Sequence, residues 1–347
     1  MKKKQLLGFI ILFLFSASNA LNAQTLVSPE ASQAARVMQR IGITDISISY
    51  HSPLAKNRKI WDALVPYDQV WRAGANENTS ISFSTDVKIE GQSLAAGTYG
   101  LHMIPTKDEW TIIFSKNSNS WGSFFYDETE DVLRVKSKPV SADYQDWLGY
   151  YFTDIQSNTC KVTMRWEKIS LSVNVKVDVQ ETVYNSMREE LRGLDAFTWE
   201  APLQAARYCL ANEIHLDQGK KWLEQSMRTQ QNSTNTFTMA KYLSKEGKSK
   251  EAAEMKEKAK SLANESELNN YGYALLGEKN ISEALEIFSL NVKRFPDSWN
   301  VYDSLGEAYD INANKKEALK NYRIALSKSP ENQKARIEPI IKKLEGN

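Results

Sequence analysis

A chain of 347 residues, 41% hydrophobic and 25% charged, has the size and make-up of a globular protein with about two domains. A formal net charge of +1 gives no electrostatic reason to seek nucleic acid or an acidic membrane surface as partner. Three His and two Cys are too few for a zinc cluster, and no metal or cofactor is expected.

The chain opens on Met1-Lys2-Lys3-Lys4, continues through an uncharged apolar run from Leu6 to Phe15, and reaches the small residues Ser18-Asn19-Ala20. That order reads as an export signal over residues 1–23, cleaved after Ala20 or Ala23. Its apolar run is too short to span a bilayer, and no Cys nearby offers a lipid anchor. The expectation is an exported protein, periplasmic or secreted, with no membrane span after signal cleavage. Residues 24–44 read as a linker.

From 45 to 180 the pattern is alternation, rich in Trp, Tyr, Phe, Thr and Val, with turn residues every 8 to 12 positions. This is the signature of an antiparallel β-sandwich or barrel. Strands are expected at about 45–51, 79–86, 87–94, 98–104, 110–115, 132–140, 147–156, 160–167 and 171–177. Glu90-Gly91 suits a hairpin turn, and Ala96-Gly97 a tight corner. Cys160 falls in this half and Cys209 in the next, and two buried free thiols are expected rather than a disulfide.

From 181 to 347 the period becomes helical and the chain repeats itself. Gly272 and Gly306, Ala284 and Ala318, Phe288 and Tyr322, and Pro296 and Pro330 each stand 34 residues apart. Small residues where two helices cross, with Pro closing the second, make the tetratricopeptide (TPR) pattern of an α-solenoid. Weaker copies occupy about 233–264 and 199–232. A last helix near 332–344 is expected to cap the stack and turn Lys334, Arg336, Lys342 and Lys343 to solvent.

Within the β half, Ser52-Pro53, Arg58-Lys59-Ile60-Trp61, Leu64-Val65-Pro66-Tyr67, Val70-Trp71-Arg72-Ala73-Gly74-Ala75-Asn76-Glu77, Ala96-Gly97-Thr98-Tyr99, Ile104-Pro105 and Asp131-Val132-Leu133-Arg134-Val135 follow one another in order. Over about 46–177 the chain resembles the DUF2911 family, exported proteins found mainly in Bacteroidetes. The resemblance implies export and helical repeats behind the β domain, and no activity. Asn78 departs from the family's pattern, which has Ala there.

The most unusual stretch is 71–79, Trp-Arg-Ala-Gly-Ala-Asn-Glu-Asn-Thr, whose mixture fits neither a helical nor a strand period. Arg72, Asn76 and Glu77 can form a polar site: Glu77 as base or hydroxyl acceptor, Arg72 as an anion's partner, Asn76 as an orienting amide. His51 and His102 lie in strands that can reach it. The competing reading pairs Arg72 with Glu77 to hold a loop, and satisfies His102 by a neighbour.

A metal needs at least three convergent ligands. Asp127, Glu128, Glu130 and Asp131 lack the spacing of a calcium loop and read as a solvated acidic turn. No Gly-x-Ser-x-Gly elbow or Cys-His pairing is present.

Trp110, Trp121, Phe124, Phe125, Tyr126, Trp147, Tyr150 and Tyr151 are too many for one core, and Trp121 is expected at a rim, where a flat ring can meet a carbohydrate or small-molecule ligand. In the repeats, the first helices are expected to present Asn269, Tyr273, Asn300, Asp303, Glu307 and Asp310 as a groove for a protein or peptide with basic or amide groups. The leading expectation is an exported ligand- or protein-binding scaffold of the bacterial envelope. The alternative is a hydrolase or isomerase using Arg72, Asn76, Glu77 and His102.

Overall fold

The computed structural model describes residues 29–346, so the expected signal at 1–23 lies outside the described residues. The chain divides into two compact units, one of residues up to Arg40 with Asp45–Lys176, the other of Ile41–Thr44 with Val177–Asn347.

The first unit holds ten strands: β1 (Gln33–Ile41), β2 (Thr44–Ser52), β3 (Ser80–Phe83), β4 (Val87–Ile89), β5 (Gln92–Leu94), β6 (Gly97–Ile104), β7 (Trp110–Ser115), β8 (Asp131–Ser137), β9 (Val140–Thr153) and β10 (Thr159–Lys176). They form a six-stranded sheet in the order β1-β2-β3-β6-β7-β8 and a four-stranded sheet in the order β5-β4-β10-β9, with every specified pairing antiparallel. Ile81, Leu101, Met103, Ile112 and Phe114 from one sheet enclose a common interior with Tyr150, Val162, Met164, Leu171 and Val173 from the other. Alternation therefore works as the period of two requires, one face of each sheet turned to a shared core.

Three expectations need correction. Residues 33–41, assigned to a linker, form β1, an edge strand whose Ala, Arg, Met and Gln carry little β propensity and whose side chains are mostly exposed. The stretches 160–167 and 171–177 are one strand, β10. Register shifts on either side of Glu167, whose φ is +53°, break the alternation without ending the pairing. In the other direction, 87–94 is two strands, β4 and β5, folded about Glu90 and Gly91 with φ +47° and +83°.

The second unit holds α1 (Val179–Glu190), then four hairpins: α2 (Glu200–Asn212) with α3 (Leu216–Thr229), α4 (Ser233–Lys245) with α5 (Ser249–Leu262), α6 (Glu265–Gly277) with α7 (Ile281–Arg294), and α8 (Trp299–Ile311) with α9 (Lys315–Lys328). It ends on α10 (Glu331–Glu345). The 34-residue spacing has a steric cause. A Cβ on Gly272 would stand 2.6 Å from the ring of Phe288, and one on Gly306 3.1 Å from that of Tyr322. Each first helix thus lies against the aromatic of its partner, and Ala284 and Ala318 are wholly buried beside them. No helix among the described residues is long and apolar enough to cross a membrane.

Cys160 and Cys209 are both free and buried, and burial pushes each thiol up to about 11. The native chain is expected to give no rapid reaction with a thiol reagent at pH 8 and two equivalents after denaturation. One fast native equivalent would contradict this.

Candidate functional site

The 71–79 corner is built against four tryptophans. Trp71 stacks on Trp166 at 5.9 Å and 17°, while Trp61 meets Trp71, Trp110 and Trp166 edge-on at 5.9, 4.7 and 5.8 Å. Reciprocal backbone hydrogen bonds of 2.8 Å join Trp71 to Met103 of β6, so the corner extends the ladder that β3 begins. Ala73 and Asn76 take the left-handed conformation, φ +54° each. The Ala73 carbonyl accepts from Tyr150 Oη at 2.7 Å and Thr79 Oγ1 at 3.1 Å, and the Ala75 N–H donates to the His51 carbonyl at 3.2 Å. These bonds hold a backbone that local preference would not choose.

The corner divides its polar side chains between two environments. On one side Glu77 Oε2 stands 3.2 Å from His51 Nδ1, and Glu30 Oε2 stands 3.2 Å from His51 Nε2. Asn76 Nδ2 donates to Glu30 Oε2 at 2.7 Å. On the other side Arg72 lies level with His102, because the Trp71–Met103 bridge sets their neighbours opposite each other. A loop covers both. A Cβ on Gly122, φ +64°, would stand 2.6 Å from Arg72 Nη1, so only glycine lets the guanidinium lie there. Ser123 Oγ is 3.4 Å from His102 Nδ1, and the Tyr126 ring meets His102 edge-on at 5.2 Å.

The expected Arg72–Glu77 pair does not form. Glu77 is bound to His51, and Arg72 makes no ion pair among the described residues, its Nε being buried without a partner. Burial alone lowers the Arg72 pKa. No hydrogen bond or ion pair joins His102 to Asn76 or Glu77 among the described residues. Glu30 was missed because it precedes β1, in the stretch assigned to a linker.

The acidic group at 127–131 is a cap and an ion-pair site as well as a turn. Asp127 accepts from the Thr129 N–H, and the nearly buried Asp131 carboxylate accepts from Tyr126 Oη and Arg134 Nε, each at 2.6 Å. Of the aromatics, Trp110 and Tyr150 are core. Trp121, Phe124 and Phe125 are 54%, 78% and 73% exposed on the loop that covers Arg72.

In the repeats, the chain itself engages part of the groove expected at the C-terminal end. Asp303 is only 7% exposed, and its Oδ2 accepts from Arg336 of α10 at 2.7 Å. Arg336 therefore reaches α8, over the Trp299 ring, while its side chain stays 46% exposed, as expected of the last helix. Tyr273 Oη donates to Glu307 at 2.7 Å, which engages that pair too. Asn269 and Asn300 line a shallow open hollow, and Asp310 is exposed.

A second, more enclosed cleft, about 500 Å³, lies one repeat earlier, between α2, α4 and α6. Its lining includes Phe237 and Tyr271, whose rings stack at 3.7 Å, with Thr234 and Ala274 beside them. Lys241 and Glu278 pair across one edge. Arg207, exposed at another, has no partner among the described residues. Sequence spacing held a clue, since Arg207 and Lys241 stand 34 positions apart on successive first helices.

The two-sheet unit and the paired helices define a β domain followed by a TPR-like array. Residues 32–175 match the family described as a protein of unknown function, DUF2911, and the first unit is a DUF2911 domain. No curated protein matches the chain. Among solved structures it is similar to YrrB, a TPR protein with an unusual peptide-binding site, at 21% identity over 44% of this chain and 79% of that one, TM-score 0.26. It is also similar to MamA from Desulfovibrio magneticus RS-1, at 18% over 48% and 83%, TM-score 0.28. PilF of Pseudomonas aeruginosa matches at 20% over 42% and 67%, TM-score 0.28. The repeat assignment rests on the 34-residue spacing and the paired helices.

Proposed function

We infer that this protein is an exported binding protein whose helical array docks an extended peptide segment of a partner protein between α2, α4 and α6. The observation that carries the reading is the cleft itself: stacked rings of Phe237 and Tyr271 under an opening of about 500 Å³, with Arg207 unpaired at its edge. An apolar floor gives a side chain somewhere to bury, and a free guanidinium favours a carboxylate on the same peptide. The acidic residues first expected to attract a basic partner are engaged by Arg336 and Tyr273, so the preference moves to an acidic one. Export is supported by the basic start and the apolar run that follows it.

Selection of displayed peptides on the full chain tests this. Peptides with an apolar residue near an acidic one are expected to be enriched. Their affinity should fall at least about tenfold in Arg207→Glu, and binding should be lost in Ala274→Trp, which fills the cleft from an exposed position. Peptides that bind both variants as tightly as the parent would overturn it.

A further inference from the structure

We propose that Glu30, His51 and Glu77 form a binding site for a divalent transition-metal ion of the zinc class. This site lies in the β unit and does not rest on the peptide-docking reading.

One ligand atom from each of the three side chains can be chosen so that all lie within 4.8 Å of one another. Ligands on one tetrahedral ion, each about 2.0–2.2 Å from it, stand roughly 3.4 Å apart, so closure needs a shift of about an ångström. The freedom to make it is in the right place. The Glu30 and Glu77 side chains are 53% and 51% exposed, whereas that of His51 is 17% exposed on β2. Each carboxylate, which now contacts a ring nitrogen of His51, would swing onto an ion held by one of those nitrogens. Water would complete the shell.

Charge points the same way. The two carboxylates have no Lys or Arg partner among the described residues, and the imidazole between them is their only ion-pair partner there. A divalent cation would neutralise both. Asn76 already does what a supporting residue at a metal site does, donating to Glu30 Oε2 at 2.7 Å and fixing how that carboxylate faces His51. The corner in turn fixes Asn76 through its φ of +54°.

A second polar feature lies beside His51. Asn78, only 8% exposed, lines an open concavity of about 320 Å³ with His51, Ser49 and Arg36. Its Nδ2 donates to the Asn117 carbonyl at 3.2 Å, but its Oδ1 is buried with no partner. Turned into that concavity, which His51 also lines, the Asn78 carbonyl oxygen would accept a hydrogen bond from a metal-bound water. The donor set selects the ion: one nitrogen and two oxygens match zinc and its first-row neighbours better than calcium or magnesium, which prefer oxygen alone.

The test is titration of the full chain with zinc chloride by calorimetry, repeated with cobalt(II) to read coordination from its visible bands. One saturable equivalent is expected, with bands of a four- or five-coordinate ion. Glu30→Gln and Glu77→Gln should each weaken binding at least about tenfold while leaving metal-free thermal unfolding unchanged, since both side chains are half-exposed. His215→Gln should bind as the parent does, because His215 pairs with Glu181 in the helical unit, at 2.8 Å. The proposal is overturned if the parent takes up no more zinc than the Glu30→Gln, Glu77→Gln double variant, or if His215→Gln abolishes uptake.

Discussion

Replacing Trp166 with Ala is expected to lower stability by about 3–5 kcal/mol, the usual cost of emptying a large aromatic site in a core. Trp166 is 1% exposed, lies face to face with Trp71 and meets the edge of Trp61, so its loss removes one wall of the four-tryptophan box. Its indole N–H also donates to the Asp146 carbonyl at 3.1 Å, a bond the variant loses although that carbonyl keeps the Ala55 N–H at 2.7 Å. The backbone conformation of the 71–79 corner depends on Trp71 keeping its place. Urea titration followed by near-ultraviolet circular dichroism measures the change. An unshifted midpoint would show that the box is not what holds the corner.

Lowering the pH from 7 to 4 is expected to cost the β unit about 3 kcal/mol through His102 alone. The side chain is 2% exposed, and burial lowers its pKa from 6.5 to about 4, against a smaller upward pull from Asp131. The folded protein therefore keeps His102 neutral while the unfolded chain takes up a proton below about pH 6.5. The contribution is intact above that pH, falls as the pH drops towards 4, and changes no further once both states are protonated. Comparing parent and His102→Asn at pH 7 and pH 4.5 isolates it. The variant should lose visibly less stability between the two, and equal losses would mean that His102 is not held neutral.

Much of the architecture was legible because it is periodic. β2, β6 and β7 lay close to their expected bounds, β2 alternating in burial and β6 and β7 buried at most positions. The 34-residue spacing located α6 to α9 because Gly272 and Gly306 must admit a ring. What failed was not periodic. β1 is an exposed edge with helix-favouring composition, and β10 hides its continuity behind the shift at Glu167.

The side-chain partners were less legible for a related reason. Arg72 and Glu77 are close in sequence, but two left-handed residues between them send their side chains to different neighbours. Glu30 and Asn76 meet across 46 positions, and Arg336 reaches Asp303 across 33, contacts that no local pattern announces.

The reading of the array depends on its cleft facing a partner. A photo-reactive amino acid placed at Ala274, inside the cleft, and separately at the exposed Lys258 of α5, outside it, tests this in cells that make the protein. One defined protein adduct is expected from position 274, carrying an acidic segment at the cross-link and lost when Arg207 is also changed to Glu. The same adducts from positions 258 and 274, indifferent to Arg207, would contradict it.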